Sequence, residues 1–436
     1  MRSASVRVLL AVALLAGACA SPPAAPPTTI PATPRQVEAS AGSGGVNRAE
    51  HRRKPHVVLV SFDGFRADYF EMYAPPNFQR AINRGVRAEG LIPVFPSKTF
   101  PNHYSIATGL FPEHHGIVGN AFYDPARDAS YAFWEPTVTD GSWYRGEPIW
   151  VTAEKQGMVS ACFFWPGSEA AIQGVRPTYF HRYDGDVPNE ARVDAVLEWL
   201  GMPEASRPRL ITLYFSDVDT AGHRYGPSAP ETRDAVMTVD AALGRLLDGI
   251  DALSIRDQVY LVLVSDHGMT EMSASGITPL GSLIDLEGLT VPDAGPAANL
   301  HVAGDGALAL RMRDQLNARL QHGRAYLRSE VPARLHYRAD PRIGDVVIVM
   351  EEHYMVSIPR PNREDSSPAA GMHGWDPAVR SMHGIFVASG PGLKAARTIP
   401  SFVNVDVYPF VAEVLGLRLP AHLDGTRGRL HQLLAQ

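Results

Sequence analysis

Cysteine is nearly absent: the 436 residues contain two, Cys19 and Cys162. With Cys19 in a leader-like N-terminus, the rest of the chain has no internal disulfide to close. Stability must then come from core packing and from any bound metal. Cys162, within the apolar run Ala161-Cys162-Phe163-Phe164, reads as a buried small hydrophobe. Positive charge is not in excess either. Forty Lys and Arg stand against 46 Asp and Glu, for a formal charge of -6, which excludes a cationic surface for extended nucleic acid. Long apolar runs are missing as well. The N-terminal run Val8 to Leu15 is far short of the ~20 residues of a membrane-spanning helix. Preceded by Arg2 and Arg7 and followed by the small residues Ala16 to Ala20, it reads as an export signal over residues 1–20. Two endings compete: cleavage at the small-residue site, or cleavage before Cys19 with lipidation of its thiol, although lipoprotein signals prefer Leu where Ala16 stands. The expected location is periplasmic or cell-surface, and the second ending would tether the chain to a membrane through Cys19.

What is present is a large globular chain, 45% hydrophobic, with 36 prolines and 38 glycines. Residues 21–54 are rich in Pro, Ala, Ser, Thr and Gly without apolar periodicity and read as a disordered tether. The catalytic domain is placed at 55–436. It opens on His56-Val57-Val58-Leu59-Val60-Ser61-Phe62, a near-continuous apolar run like a parallel strand covered on both faces. Leu210 to Phe215 and Val259 to Val264 repeat the pattern. Between them Val236, Val239, Leu243, Leu246, Leu247, Ile250 and Leu253 form a helical stripe. The alternation predicts an α/β fold with a mostly parallel central sheet flanked by helices. A small α+β insertion is expected at about 298–352: strand 299–302, helix 309–321, strand 325–337 and strand 345–350.

Each strong strand runs into acidic residues: Asp63 after the first, Asp217 and Asp219 after the second, Asp266 after the third. In an open parallel sheet the strand carboxyl ends meet at the ligand crevice, so these acids should converge. Two of them have a histidine nearby. Asp266-His267 offers two metal ligands from one turn, and Asp219 and His223 stand four residues apart, with Gly222 permitting a tight bend. Such a mixed set still needs members, and His373, in Gly371-Met372-His373-Gly374, is favoured over His383. Zinc is the natural metal for Asp and His ligands, with manganese or iron as alternatives. Thr99 precedes an apparent helix start, where the helix dipole and a bound cation would both favour an attacking alkoxide. Read alone, it is a capping residue.

Taken in order, Ser61-Phe62-Asp63-Gly64-Phe65-Arg66, then Phe95 through Tyr104, Asp219 through His223 with Gly226-Pro227, Ser265-Asp266-His267-Gly268-Met269, and Met372-His373-Gly374 resemble the nucleotide pyrophosphatase/phosphodiesterase family. That family belongs to the alkaline phosphatase superfamily, and the likeness runs from about residue 56 to 415, as of a bacterial member. The resemblance implies two zinc ions, one held by Asp63, Thr99, Asp266 and His267 and the other by Asp219, His223 and His373. It implies Thr99 as covalent nucleophile and Asn120 as a holder of the non-bridging phosphate oxygen. It also implies a nucleobase slot with Tyr183 opposite Phe100.

The leading expectation is hydrolysis of nucleotide phosphodiester or pyrophosphate bonds through a nucleotidyl-threonine intermediate, a nucleoside triphosphate giving monophosphate and pyrophosphate. The alternatives are a lysophospholipid or choline-phosphate diesterase or a phosphomonoesterase on the same metal core, and, more remotely, a catalytically silent metal-binding surface lipoprotein. A sulfatase is disfavoured, because it needs Cys or Ser followed by x-Pro-x-Arg where this chain has Thr99-Phe100-Pro101-Asn102.

Overall fold

The computed structural model describes residues 44–434 except 274, 305, 359–368 and 394. The export signal and the lipidation of Cys19 lie outside the described residues. No helix among the described residues is long and apolar enough to cross a membrane.

Eight strands form the main sheet: β1 (His56–Phe62), β2 (Gly85–Ala88), β3 (Ser160–Phe163), β4 (Tyr179–His181), β5 (Leu210–Phe215), β6 (Val259–Val264), β7 (Phe386–Ser389) and β8 (Arg397–Ile399). Their order is β8-β2-β7-β6-β1-β5-β3-β4. β1 runs parallel to both β5 and β6, and only β7 is antiparallel to its neighbours. The three strongest apolar runs are thus the three central strands. Every residue of β1 is buried, because alternate side chains enter different cores. Val57 and Leu59 belong to one cluster, and Val58, Val60 and Phe62 to the other. The predicted helical stripe lies on Pro230–Ala252, which starts with Pro at its first turn and buries Val236, Val239, Leu243, Leu246, Leu247 and Ile250.

Residues 289–350 hold a four-stranded antiparallel sheet of Leu289–Thr290, Ala297–Val302, Val346–Met350 and Gly323–Leu327, with the helix Gly306–Arg319. The strand expected over 325–337 stops at Leu327. There the Glu330 carboxylate takes the Leu327 N–H, and Pro332, which has no N–H to give a ladder, follows. Residues 44–54, which the sequence places in the tether, are held by the domain. Asn47 is buried, and its amide donates to the carbonyls of Ala205 and Arg207 at 3.2 and 2.8 Å.

Candidate active site

Neighbouring strand ends deliver the acids. Phe62 pairs with Phe215 and Ser61 with Val264, so β5, β1 and β6 end side by side and release Asp63, the Asp217–Asp219 segment and Asp266 into one crevice. Gly64 turns at φ +69°, and a Cβ there would meet the Asp219 Cα at 2.8 Å, so glycine alone lets these segments touch.

Asp219 and His223 do not sit on a bent turn. They lie on the helix Asp217–Tyr225, where i, i+4 spacing puts both on one face with Asp219 Oδ1 3.4 Å from His223 Nε2. The close approach here is permitted by Gly371: a Cβ on it would sit 2.4 Å from the Gly222 carbonyl, while Gly222 itself lies against Met269, whose atoms a Cβ would meet at 3.1 Å. The Gly371 contact brings in His373, whose Nε2 is 3.1 Å from His223 Nε2 and 3.6 Å from Asp219 Oδ1. The rings of His267 and His373 stack at 3.5 Å. His267 Nε2 is 3.4 Å from Asp63 Oδ1, 2.9 Å from Asp266 Oδ2 and 3.3 Å from Thr99 Oγ1. Asp217 stays outside the cluster and accepts from Asn189. His383 is also outside, bonded to the Pro377 carbonyl.

The arrangement is short of positive charge. The Nδ1 atoms of His223, His373 and His267 face the carbonyls of Gly371, Ser97 and Gly268 at 2.8–2.9 Å. Carbonyls only accept, so each Nδ1 carries the proton and each Nε2 turns a lone pair inward. Two such lone pairs 3.1 Å apart cannot hydrogen-bond each other. Beside them Asp63 Oδ1 and Asp219 Oδ1 are buried without a hydrogen-bond donor, and Asp266 Oδ2 is served only at long range by His103 Nδ1 at 3.3 Å. Acceptors of Asp219, His223 and His373, of Asp63, Asp219 and His267, and of Asp63, His103 and Asp266 lie within 4.8 Å of one another in overlapping trios, and such mixed sets fit divalent cations of the borderline kind that N and O ligands hold. Burial, with the charges of Asp266 and Asp219, holds the Asp63 carboxyl well above the ordinary carboxylate range. Burial, with His267 and His223 beside it, holds His373 well below the ordinary imidazole value.

Thr99 is the first residue of the helix Thr99–Thr108, and its hydroxyl caps nothing: the capping position is Lys98. Phe100 N–H donates to Asn120 Oδ1 at 3.0 Å, which fixes the amide's orientation and leaves Nδ2 as its donor. A cleft of about 380 Å³ opens from Thr99, Asp63 and Asp219 and is walled by Phe100, Phe133, Phe164, Trp165, Tyr183 and Tyr214. Phe100 is largely buried and stacks on the half-exposed Phe133 at 4.9 Å, while Tyr183 is 53% exposed.

Two supports were not singled out in the sequence. Tyr214 donates to Asp63 Oδ2 at 2.6 Å. His103, buried, contacts the Ser61 hydroxyl at 2.8 Å, the Thr99 carbonyl at 2.9 Å and Asp266 Oδ2 at 3.3 Å. Both of its nitrogens are engaged, and through Nδ1 it steadies Asp266, with which it shares a trio with Asp63. Its place four residues after Thr99 on a helix was a signal available in the sequence.

The family described as type I phosphodiesterase / nucleotide pyrophosphatase matches residues 57–376. Human ectonucleotide pyrophosphatase/phosphodiesterase family member 1 is 37% identical over 390 residues, 87% of this chain and 42% of that protein. Venom phosphodiesterase CdcPDE of Crotalus durissus collilineatus is 36% identical over 403 residues, 90% of this chain and 48% of that protein. The chain thus spans less than half the length of either relative. Among solved structures, murine ectonucleotide pyrophosphatase/phosphodiesterase 5 superposes with a TM-score of 0.81 at 31% identity, covering 87% of this chain and 100% of that one. An inactive threonine-to-alanine variant of the same murine protein, in complex with AMP, gives 0.82. With the family match over residues 57–376 and the likeness in sequence and fold in agreement, the chain belongs to the type I phosphodiesterase / nucleotide pyrophosphatase family.

Proposed function

We propose that this protein is an exported hydrolase of nucleotide phosphodiester or pyrophosphate bonds, with Thr99 as nucleophile and two zinc ions as cofactors. The observation that carries the reading is the convergence of Thr99 Oγ1 with inward-facing imidazole nitrogens and donor-less carboxylate oxygens at the foot of an aromatic cleft. Asp63, Thr99, Asp266 and His267 would hold one ion, and Asp219, His223 and His373 the other. Three carboxylates and a Thr99 alkoxide carry -4, which two divalent cations neutralise. Zinc would supply Lewis-acid polarisation of the phosphoryl oxygens and a lowered pKa for the hydroxyl.

Thr99 sits at the positive end of its helix, where an alkoxide is favoured. Its oxygen attacks phosphorus in line with the leaving group, forming a nucleotidyl-threonine and releasing pyrophosphate or an alcohol. Water then cleaves the P–O bond to Thr99 and frees the nucleoside monophosphate. Asn120 Nδ2 donates to a non-bridging oxygen as charge develops there. Phe100 and Tyr183 hold the base. AMP in the murine relative, and the inactivity of its threonine variant, support a nucleotide substrate and a threonine nucleophile.

The test is Thr99→Ala, which leaves the other six proposed ligands in place. Zinc content and melting temperature should change little, while turnover of a nucleotide diester should fall by on the order of 10⁴-fold or more. Thr99→Ser should keep part of the rate. Near-normal turnover in Thr99→Ala would remove Thr99 from the role of nucleophile. Faster hydrolysis of a lysophospholipid or a phosphate monoester than of a nucleotide diester by the unmutated protein would overturn the substrate class.

A further inference from the structure

We propose that His114, His422 and Asp424 form a zinc site separate from the catalytic cluster, one that clamps the C-terminal segment to the short helix Pro112–His115 that follows the nucleophile helix. The three residues each offer a ligand atom within 4.8 Å of the others. Asp424 is mostly buried, and its backbone is fixed: the N–H groups of Asp424 and Gly425 both donate to the Gly109 carbonyl, at 3.0 and 2.9 Å. Its carboxylate is oriented too. Oδ2 accepts from Phe111 N–H at 2.8 Å and faces His114 Nδ1 at 2.7 Å, while Oδ1 is turned to His422 Nε2 at 4.0 Å. The two imidazoles meet edge to face, with centroids 5.2 Å apart.

An ion pair between His114 and Asp424 accounts for the first histidine and leaves the approach of the second unexplained. A cation accounts for both. Tetrahedral zinc with bonds of ~2.0 Å holds its ligand atoms roughly 3.3 Å apart, so the site closes if His422 draws in from 4.0 Å and the His114–Asp424 pair opens from 2.7 Å, each by less than about 1 Å. That side chain is 70% exposed and has the room to do so. Two imidazoles and one carboxylate suit zinc and not the oxygen-seeking calcium or magnesium.

The position gives the ion a mechanical role. Gly109 ends the helix Thr99–Thr108, so the clamp lies a helix length, roughly 15 Å, from Thr99. It would join segments 310 residues apart, and a cross-link closing so long a loop restricts the unfolded chain. The proposal does not rest on the catalytic reading, because its test counts a difference between variants whatever the catalytic cluster binds.

The experiment uses the full chain, stripped with a chelator and reloaded with zinc. Zinc per chain is read by elemental analysis, and melting temperature is read with and without zinc. His422→Ala, a change at an exposed position, should carry one zinc ion fewer per chain than the unmutated protein. It should also show a zinc-dependent rise in Tm smaller by about 2 °C or more. Asp424→Asn should lose the same ion. Equal zinc content and equal Tm gains in the unmutated protein and both variants would overturn the site and leave the ion pair alone.

Discussion

Tyr214→Phe isolates one atom of the active site. The ring stays, with its edge contacts to His103 at 5.3 Å and Tyr183 at 6.0 Å. Only the 2.6 Å hydrogen bond to Asp63 Oδ2 is lost, between two buried side chains. A hydrogen bond to a charged acceptor contributes ~1.5–3 kcal/mol. At ~1.4 kcal/mol per tenfold, zinc affinity should fall by about 10- to 100-fold, the range found when the polar support of a metal ligand is removed. The loss also depends on pH in a definite direction. Burial, Asp266 and Asp219 already hold the Asp63 carboxyl above its ordinary value, and the tyrosine is the influence that opposes them. Without that donor Asp63 keeps its proton to still higher pH. Protons compete with metal for this oxygen, so the variant's deficit should grow from pH 8 to pH 6. Zinc titration against a competing chelating dye at pH 6, 7 and 8 measures it, and a thermal melt checks folding. Affinity within twofold of the unmutated protein at all three pH values would refute the assignment of Asp63 as a ligand held by Tyr214.

Three further outcomes are expected. Chelation should abolish turnover of a nucleotide diester and added zinc should restore it; full activity in protein verified metal-free would rule out the two-metal reading. Stacking on one aromatic side chain is worth ~1–3 kcal/mol per base, and Tyr183 is half exposed. Tyr183→Ala should therefore raise the Michaelis constant for a nucleotide diester by about 5- to 10-fold, the lower end of that range, and spare a small diester without a base; equal losses on both would refute the slot. Burial lowers the imidazole of His115 to about 3, and that of His56, with help from Arg209, also to about 3. Each contributes stability that is present above the unfolded value of ~6.5 and lost as pH falls toward 3, with a slope of up to ~1.4 kcal/mol per pH unit. Urea midpoints between pH 7 and pH 4 should therefore decline, and His115→Gln should flatten the decline; an unchanged slope in that variant would show that His115 is not buried neutral.

The sequence exposed what depends on near neighbours. β1, β5 and β6 were legible because strands covered on both faces are apolar at every position, and the acids that follow them were legible as strand ends. What depends on direction or on distant partners was not. No periodicity records that β7 runs against its neighbours. Asp219 and His223 were read as a bend, although the acids in the first turn and the four-residue spacing suit a helix equally well.

Tyr214 marks where local reading ends. It alternates with Leu213 and Phe215 as any strand residue would, and its exceptional property, a hydroxyl on Asp63 Oδ2, depends on a residue 151 positions away. His114 and Asp424 pose the same problem across 310 positions. A motif discloses the atoms that chemistry needs in one place on the chain, whereas the donors that hold those atoms arrive through the register of the sheet. The ring of donors around Asp63, Asp266 and Asp424 is therefore where a variant with intact motifs could still lose its metal, and where measured affinities would separate ligand from support.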